Sequence, residues 1–160
     1  MEKADVNDFQ ISSYFNLRDF CSPDTFELKV SRKIVEICEK LRECGPLRVV
    51  SAYRNPEYNK KMGGAENSYH LQGKAVHLKP TAFISNVDLF KLASQIPEVG
   101  GLGLYESKII HIDLRPNRAY WVKALNDGYR YLPSSEEALE CYEQLISSSN
   151  RKSTLSLTRI

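Results

Sequence analysis

Long apolar runs and a recognisable export signal are both absent from this chain of 160 residues. No stretch approaches the roughly 18 consecutive apolar residues that a membrane-spanning helix requires. The first ten residues, MEKADVNDFQ, are too polar and acidic for a signal peptide. The sequence therefore predicts no membrane span and, as written, a cytoplasmic protein. An apolar content of 42% is still enough for one domain with a hydrophobic core.

An excess of positive charge is also lacking. The chain has 22 basic and 20 acidic residues and a net charge of +2. Three of the basic residues, Arg151, Lys152 and Arg159, lie in a C-terminal tail without acids, and removing them leaves a charge of about −1 on the body. A nucleic-acid surface normally needs a basic stripe, so we expect no nucleic-acid partner.

Cysteines spaced for a metal or redox motif are missing as well. The four cysteines, Cys21, Cys38, Cys44 and Cys141, form no Cys-x-x-Cys pair. Cys38 belongs to an apolar helical stripe, which predicts reduced and partly buried thiols. None of these features predicts an oligomeric state.

Helices alternate with short strands along the chain. The best-marked helix is expected to begin at Ser22-Pro23 and to end at Gly45-Pro46. Further helices are predicted at 56–62, 86–96 and about 136–146, strands at 47–53, 74–80, 101–105 and 108–115, and a loop at 65–72. This pattern predicts an α+β domain, with a small mixed or antiparallel sheet and helices packed on one face.

The composition changes along the chain and predicts four segments. A polar lead at 1–13 precedes the main domain at 14–122. An extension at 123–146 carries an amphipathic helix, and 147–160 has the composition of a disordered tail.

The chain contains only three histidines, His70, His77 and His111. His77 and His111 occupy polar positions of otherwise apolar strands, and Asp113 shares the strand face of His111. Three neutral imidazoles are a full protein ligand set for a catalytic zinc, with a fourth position for a water that zinc acidifies. The residues alone leave open the alternative of three ordinary core or surface histidines.

Four motifs follow one another in the sequence: SAYRNPEYN, SYHLQGKAVH, GLGLY and HID. They resemble the M15 family of zinc D-alanyl-D-alanine carboxypeptidases and murein endopeptidases. That family's pattern runs Ser-x-Tyr-Arg-x-Pro-x-x-Asn, Ser-x-His-x-x-Gly-x-Ala-x-Asp, Gly-x-Gly-x-Tyr and His-x-Asp. The resemblance covers most of residues 14–122. It implies a Hedgehog/DD-peptidase-like fold, a Zn²⁺ cofactor and hydrolysis of peptidoglycan stem peptides next to a D-amino acid.

The resemblance assigns roles by position. His70 and His111 match metal ligands, and Arg54 matches the arginine that binds the carboxylate or carbonyl oxygen of the substrate. Ser68 matches the serine two places before the first ligand and is expected to contact substrate. Asp113 matches the aspartate of the family branch that ends in His-x-Asp.

His77 departs from the family, which has aspartate at this position. Histidine still binds zinc, so the expected metal set is His70, His77 and His111. The site then carries one more unit of positive charge, which makes a bound water more acidic and less nucleophilic.

The general base is also uncertain at this point. M15-type enzymes often place it just before the last metal histidine, where this chain has Lys108, Ile109 and Ile110. Asp113 has two open roles, as the base or as a group that orients an imidazole. Glu106 is a weaker candidate for the base.

Two functions compete. The first is a zinc metallopeptidase of the carboxypeptidase or endopeptidase type, for which a phage or prophage lysin would explain cell-wall access without a signal peptide. The second is a non-catalytic, zinc-containing binding module on the same scaffold, as in the Hedgehog signalling domain. His77 and the uncertain base favour the binding module, whereas intact Arg54, Ser68 and Asp113 favour the enzyme. A zinc-free structural domain would leave the placement of the histidines unexplained.

Overall fold

The computed structural model describes residues 9–157, with side chains described to residue 151. Four helices lie at Arg32–Arg42 (α1), Pro56–Lys61 (α2), Asn86–Ser94 (α3) and Ser135–Leu157 (α4). Six strands lie at Leu47–Ser51 (β1), Ala75–Pro80 (β2), Gly101–Tyr105 (β3), Ile110–Asp113 (β4), Ala119–Lys123 (β5) and Tyr129–Leu132 (β6). Two 3-10 turns lie at Leu17–Phe20 and Tyr69–Gln72.

The six strands form one mixed sheet in the order β1-β2-β4-β3-β5-β6. All neighbours are antiparallel except β3 and β5, which are parallel. Alternate residues of β2, β3 and β4 face the hydrophobic core, which also receives residues of α1, α3 and α4. The structure therefore confirms the predicted α+β class, with a mixed sheet and helices packed on one face.

The sequence predicted several element boundaries well. Asn55 caps α2 by accepting a hydrogen bond from the Tyr58 amide at 2.8 Å, and Pro56 stands at the first helical position. Ser85 caps α3 and forms a reciprocal capping box with Asp88. Both helices begin where the sequence pattern predicted.

The first long helix begins later than predicted. α1 starts at Arg32, after Ser31, rather than at Pro23. Ser22 does not cap a helix, because its hydroxyl accepts a hydrogen bond from the amide of Asn55 at 3.2 Å and donates one to Asp24 at 2.7 Å. The segment before α1 therefore braces the start of α2, and the helix forms only where the apolar stripe is regular.

The C-terminal part differs more from the expectation. The helix predicted for about 136–146 continues to Leu157, so residues 147–157 are helical where a disordered tail was expected. The last three residues lie outside the described part of the chain. Ala138 and Tyr142 of α4 belong to the same core as the sheet, and Ser149 donates a 2.6 Å hydrogen bond to Glu106. The residues of α4 that pack on the core lie within the predicted part of the helix, and beyond Ile146 the Ser149–Glu106 hydrogen bond joins the helix to the domain.

The hairpin of β5 and β6 was not predicted. It turns at Asp127-Gly128, where Gly128 has a φ of +68°. All four cysteines are free thiols, with Cys21 and Cys38 buried, as predicted. Among residues 9–157, no helix is long and apolar enough to cross a membrane.

Candidate metal centre

The sheet face opposite the helices carries the polar residues of the motifs. His77, His111, Gly103, Trp121 and Tyr131 are paired in register across β2, β4, β3, β5 and β6. Pairing places His77 directly beside His111. Gly103 leaves room for the indole of Trp121, since a Cβ on Gly103 would lie 2.3 Å from Trp121 Nε1. The small residue on β3 therefore lets an aromatic side chain approach the two imidazoles.

The side chain of His70 approaches His77 and His111 from outside the sheet. It lies in the 3-10 turn Tyr69–Gln72, and the hydroxyl of Ser68 accepts a hydrogen bond from the His70 amide at 3.2 Å. Gly73 ends the turn with a φ of +66° and packs so closely that a Cβ would lie 2.3 Å from the Lys29 carbonyl oxygen. A side chain at Gly73 would displace the turn, so this glycine fixes the position of His70.

The three imidazoles converge. One ring nitrogen from each of His70, His77 and His111 lies within 4.8 Å of the other two. The Nε2 of His77 lies 3.0 Å from the Nδ1 of His111. Ligand atoms around a tetrahedral zinc with bonds of 2.0–2.1 Å are roughly 3.3 Å apart. The structure therefore brings together the three predicted histidines at a spacing that can hold a metal ion.

In His70 and His111, a hydrogen bond from one ring nitrogen determines that the other nitrogen keeps its lone pair free. The Nδ1 of His70 lies 2.5 Å from the carbonyl oxygen of Ala52 and donates to it. The Nε2 of His70 is then the acceptor nitrogen, and it is buried without a hydrogen-bond partner. The Nε2 of His111 donates to Asp113 Oδ2 at 2.9 Å, which leaves Nδ1 as the acceptor. Such partners are typical of metal-ligating histidines.

His77 has a different set of neighbours. Its Nδ1 lies 3.4 Å from the guanidinium of Arg54, which can only donate. Its Nε2 then carries the proton and donates to His111 Nδ1. A neutral His77 that binds a metal through Nε2 must carry its proton on Nδ1, so its contact with Arg54 would have to change, whereas His70 and His111 already present an acceptor nitrogen.

The surroundings favour the neutral form of all three imidazoles, of which His70 and His111 are buried and His77 is half-buried. Desolvation lowers the pKa of His70 and of His77 well below the usual value, and neighbouring cationic or imidazole groups lower both further. Desolvation also lowers the pKa of His111, although the hydrogen bond to Asp113 opposes the shift. Neutral imidazole is the form that binds a metal.

Both carboxylate oxygens of Asp113 accept hydrogen bonds from neighbouring residues. Asp113 is completely buried, and Arg115 donates to it from the backbone amide at 3.0 Å and from Nη2 at 2.6 Å. Burial alone would raise the pKa of Asp113, but hydrogen bonds from His111 and Arg115 outweigh it and hold the pKa well below its usual range. A Cβ on Gly101 would lie 2.4 Å from both carboxylate oxygens. Gly101 therefore makes room for the carboxylate that orients His111.

Arg54 lies beside the imidazoles and is nearly buried, with 8% of its surface exposed. Its Nε donates to the hydroxyl of Ser51 at 2.9 Å. No carboxylate pairs with Arg54 among the side chains described between residues 9 and 151. Burial lowers the pKa of the guanidinium. An unpaired cation at this depth provides a binding site for an anionic or carbonyl group.

These residues line an open cleft of about 690 Å³. Ser68, Tyr105, Trp121, Tyr129 and Tyr131 contribute to its walls. Tyr129 and Tyr131 were not predicted as site residues. The alternating pattern YRYL beside an Asp-Gly turn is a hairpin signal that places both rings on one face of the sheet. Glu106 does not line the cleft, and its oxygens accept from Ser149 and from the Leu125 amide.

The fold and the cleft define an α+β domain with a three-histidine site that can hold a metal. The chain belongs to the peptidase M15 family, whose model matches residues 9–113. It is also similar to the probable peptidoglycan L,D-endopeptidase MepK of Haemophilus influenzae, with 34% identity over 82 residues. The similar stretch covers 46% of this chain and 42% of the relative. The chain thus matches less than half the length of that protein.

Proposed function

We propose that this protein is a zinc-dependent peptidoglycan peptidase that cleaves a stem peptide at an amide bond next to a D-amino acid. The observation that carries this proposal is the convergence of His70, His77 and His111 beside buried Arg54, which has no carboxylate partner among the side chains described from 9 to 151. Membership of the M15 family and similarity to a probable peptidoglycan L,D-endopeptidase support the same reaction class.

The three histidines would hold the metal through His70 Nε2, His77 Nε2 and His111 Nδ1. When bound, a zinc ion at three neutral imidazoles supplies a Lewis acid and makes a water molecule a nucleophile near neutral pH. The residues around the ligands serve that arrangement. Ala52 and Asp113 fix which nitrogens of His70 and His111 point into the cleft.

Arg54 would bind the substrate. Its guanidinium lies beside His77 and donates a hydrogen bond to Ser51, which holds it in place. A peptide carboxylate or the carbonyl oxygen of the scissile amide can accept hydrogen bonds from this fork. In the second case Arg54 also stabilises negative charge that develops on that oxygen. Ser68 lines the same cleft, and we assign it a contact with substrate in addition to its role in the turn of His70.

We assign Asp113 to orientation of His111 rather than to proton transfer. Four donor atoms point at its two oxygens, namely His111 Nε2 and three nitrogens of Arg115. A carboxylate held this way has a lowered pKa, so it is a weak proton acceptor. The motif left both roles of Asp113 open, and its engagement by His111 and Arg115 supports the orienting role.

A non-catalytic, zinc-containing binding module is the second candidate. The observation in its favour is that Asp113 is the only carboxylate among the residues described as lining the cleft, and it is fully engaged. Because all three histidines are assigned to the metal, a peptidase on this scaffold would take its proton acceptor from a tyrosine, the substrate or solvent. The two candidates differ in turnover and not in metal binding.

The deciding experiment is hydrolysis by zinc-loaded protein. Suitable substrates are a D-Ala-D-Ala-ended stem peptide and a crosslinked peptidoglycan fragment with an L,D bond, with products identified by mass spectrometry. We expect cleavage of at least one substrate and its loss after treatment with a chelator, with recovery on adding zinc. Stoichiometric zinc and substrate binding without any cleavage would favour the binding module.

A further inference from the structure

A second cation lies on the cleft face of the sheet, at the end of β5. Lys123 is paired in register with Tyr105 on β3 and with Tyr129 on β6. Its ammonium lies 5.5 Å from the ring centroid of Tyr105 and 4.7 Å from that of Tyr129. Both distances are within the range of a cation–π contact. The two rings therefore hold the Lys123 ammonium at a defined place.

The Lys123 ammonium lies near the candidate metal centre. The Tyr105 ring lies 5.2 Å from the ring of His77, so one aromatic side chain separates Lys123 from the ligand set. Tyr105 and Tyr129 both line the cleft. Lys123 itself packs against these two rings at the edge of the cleft, in the direction in which a long peptide bound at His77 and Arg54 could extend.

Lys123 has no acidic partner in the described part of the chain. The ion pairs of the described side chains involve other residues, and Asp113, the carboxylate of the cleft, is occupied by Arg115 and His111. Aromatic rings attract a cation without neutralising its charge. Arg54 in the cleft and Lys123 against the two tyrosines at its edge are therefore two cations without a carboxylate partner among the described side chains.

We propose that Lys123 is a second anion-binding residue, which receives a carboxylate of the stem peptide other than the group that binds Arg54. This inference rests on the proposed function and adds a substrate class to it, namely stem peptides with two free carboxylates. Lys123 and Tyr129 lie outside residues 9–113, the part that matches the family model, so the subsite belongs to the β5–β6 hairpin of this chain.

The test compares one stem peptide that has two free carboxylates with its two mono-amides. Binding to zinc-loaded protein is measured by calorimetry for the wild type, Lys123→Met and Lys91→Met. Methionine keeps an unbranched apolar stem against the tyrosine rings and removes the charge. Lys91 is an exposed lysine of α3, on the helical side of the sheet, and its substitution removes the same charge away from the cleft.

We expect the wild type to bind the diacid about tenfold more tightly than the mono-amide that lacks the carboxylate assigned to Lys123. This is the size of effect expected when one hydrogen bond to a charged group is lost. Lys123→Met should abolish that preference, whereas Lys91→Met and Lys123→Arg should retain it. A preference that survives in Lys123→Met, or equal binding of all three peptides by the wild type, overturns the inference and leaves the proposed function intact. Failure of the wild type to bind or cleave any of them contradicts both.

Discussion

Replacing Asp113 with asparagine separates orientation of His111 from proton transfer. The change keeps the shape of the side chain but removes its charge and turns one acceptor oxygen into a donor nitrogen. His111 Nε2 and three Arg115 nitrogens now donate to Asp113, so at least one of these donors would face the new amide group. His111 would lose the partner that selects its free lone pair.

Two magnitudes follow for Asp113→Asn. Breaking a buried ion pair costs about 3–5 kcal/mol, and we expect the lower end because 27% of the Arg115 side chain is exposed. Loss of the partner that orients a ligating histidine lowers metal affinity about 10–100-fold. Both effects concern the folded protein before any catalytic step.

The assays are urea denaturation of the metal-free protein and competition for zinc with a chelator of known affinity. Asp127→Asn is a matched control, because the Asp127 side chain is 79% exposed on the β5–β6 turn. The control should change neither quantity. If Asp113→Asn instead keeps wild-type zinc affinity and stability but loses all hydrolysis, Asp113 is the general base and our assignment is wrong.

Three further outcomes are expected. Arg54→Ala should lower kcat/KM by roughly 10²–10³-fold, typical of a lost charge-stabilising donor, with zinc content unchanged; release of zinc would make Arg54 structural. His77→Asp restores the ligand type of the family and lowers the charge of the site by one unit. Zinc should therefore stay bound, and the rate of hydrolysis at alkaline pH should rise. A His77→Asp protein that binds zinc but does not hydrolyse the peptide would favour the binding module. The free energy of unfolding of the metal-free protein should fall as pH drops below about 6.5, because the pKa values of His70, His77 and His111 are lowered on folding and the unfolded chain then binds more protons. Each histidine contributes a slope of up to about 1.4 kcal/mol per pH unit in that range, and urea titrations at pH 7.5, 6.5 and 5.5 that give equal stability would contradict the buried neutral imidazoles.

Local signals explain which parts of the fold the sequence predicted. The caps at Asn55 and Ser85 and the alternation around His77 and His111 act within a few residues, and the structure shows the corresponding elements where they were expected. The early start predicted for α1 failed because the Ser22 hydroxyl bonds to Asn55, 33 residues away. The continuation of α4 beyond Ile146 could not be predicted from its serine-rich sequence, and the core contacts of the helix all lie before that point.

In the candidate site, too, some features follow from local sequence and others depend on tertiary contacts. Strand alternation predicted that His111 and Asp113 share a face, and the family motif marked His70 and Arg54. Convergence of His70 with the strand histidines depends on the turn that Gly73 closes, and Gly101 is needed for the position of Asp113. The role of Lys123 depends on the pairing of β5 with both β3 and β6, a parallel and an antiparallel contact that no local pattern specifies.

The most direct test of the central claim is X-ray absorption at the zinc edge of the zinc-loaded protein. We expect one zinc per chain with three imidazole nitrogens at about 2.0–2.1 Å and a light-atom fourth ligand. Each of His70→Ala, His77→Ala and His111→Ala should remove one imidazole from the spectrum or release the metal. A first coordination sphere with fewer than three imidazoles in the wild type, or a spectrum unchanged in His77→Ala, would contradict the three-histidine site.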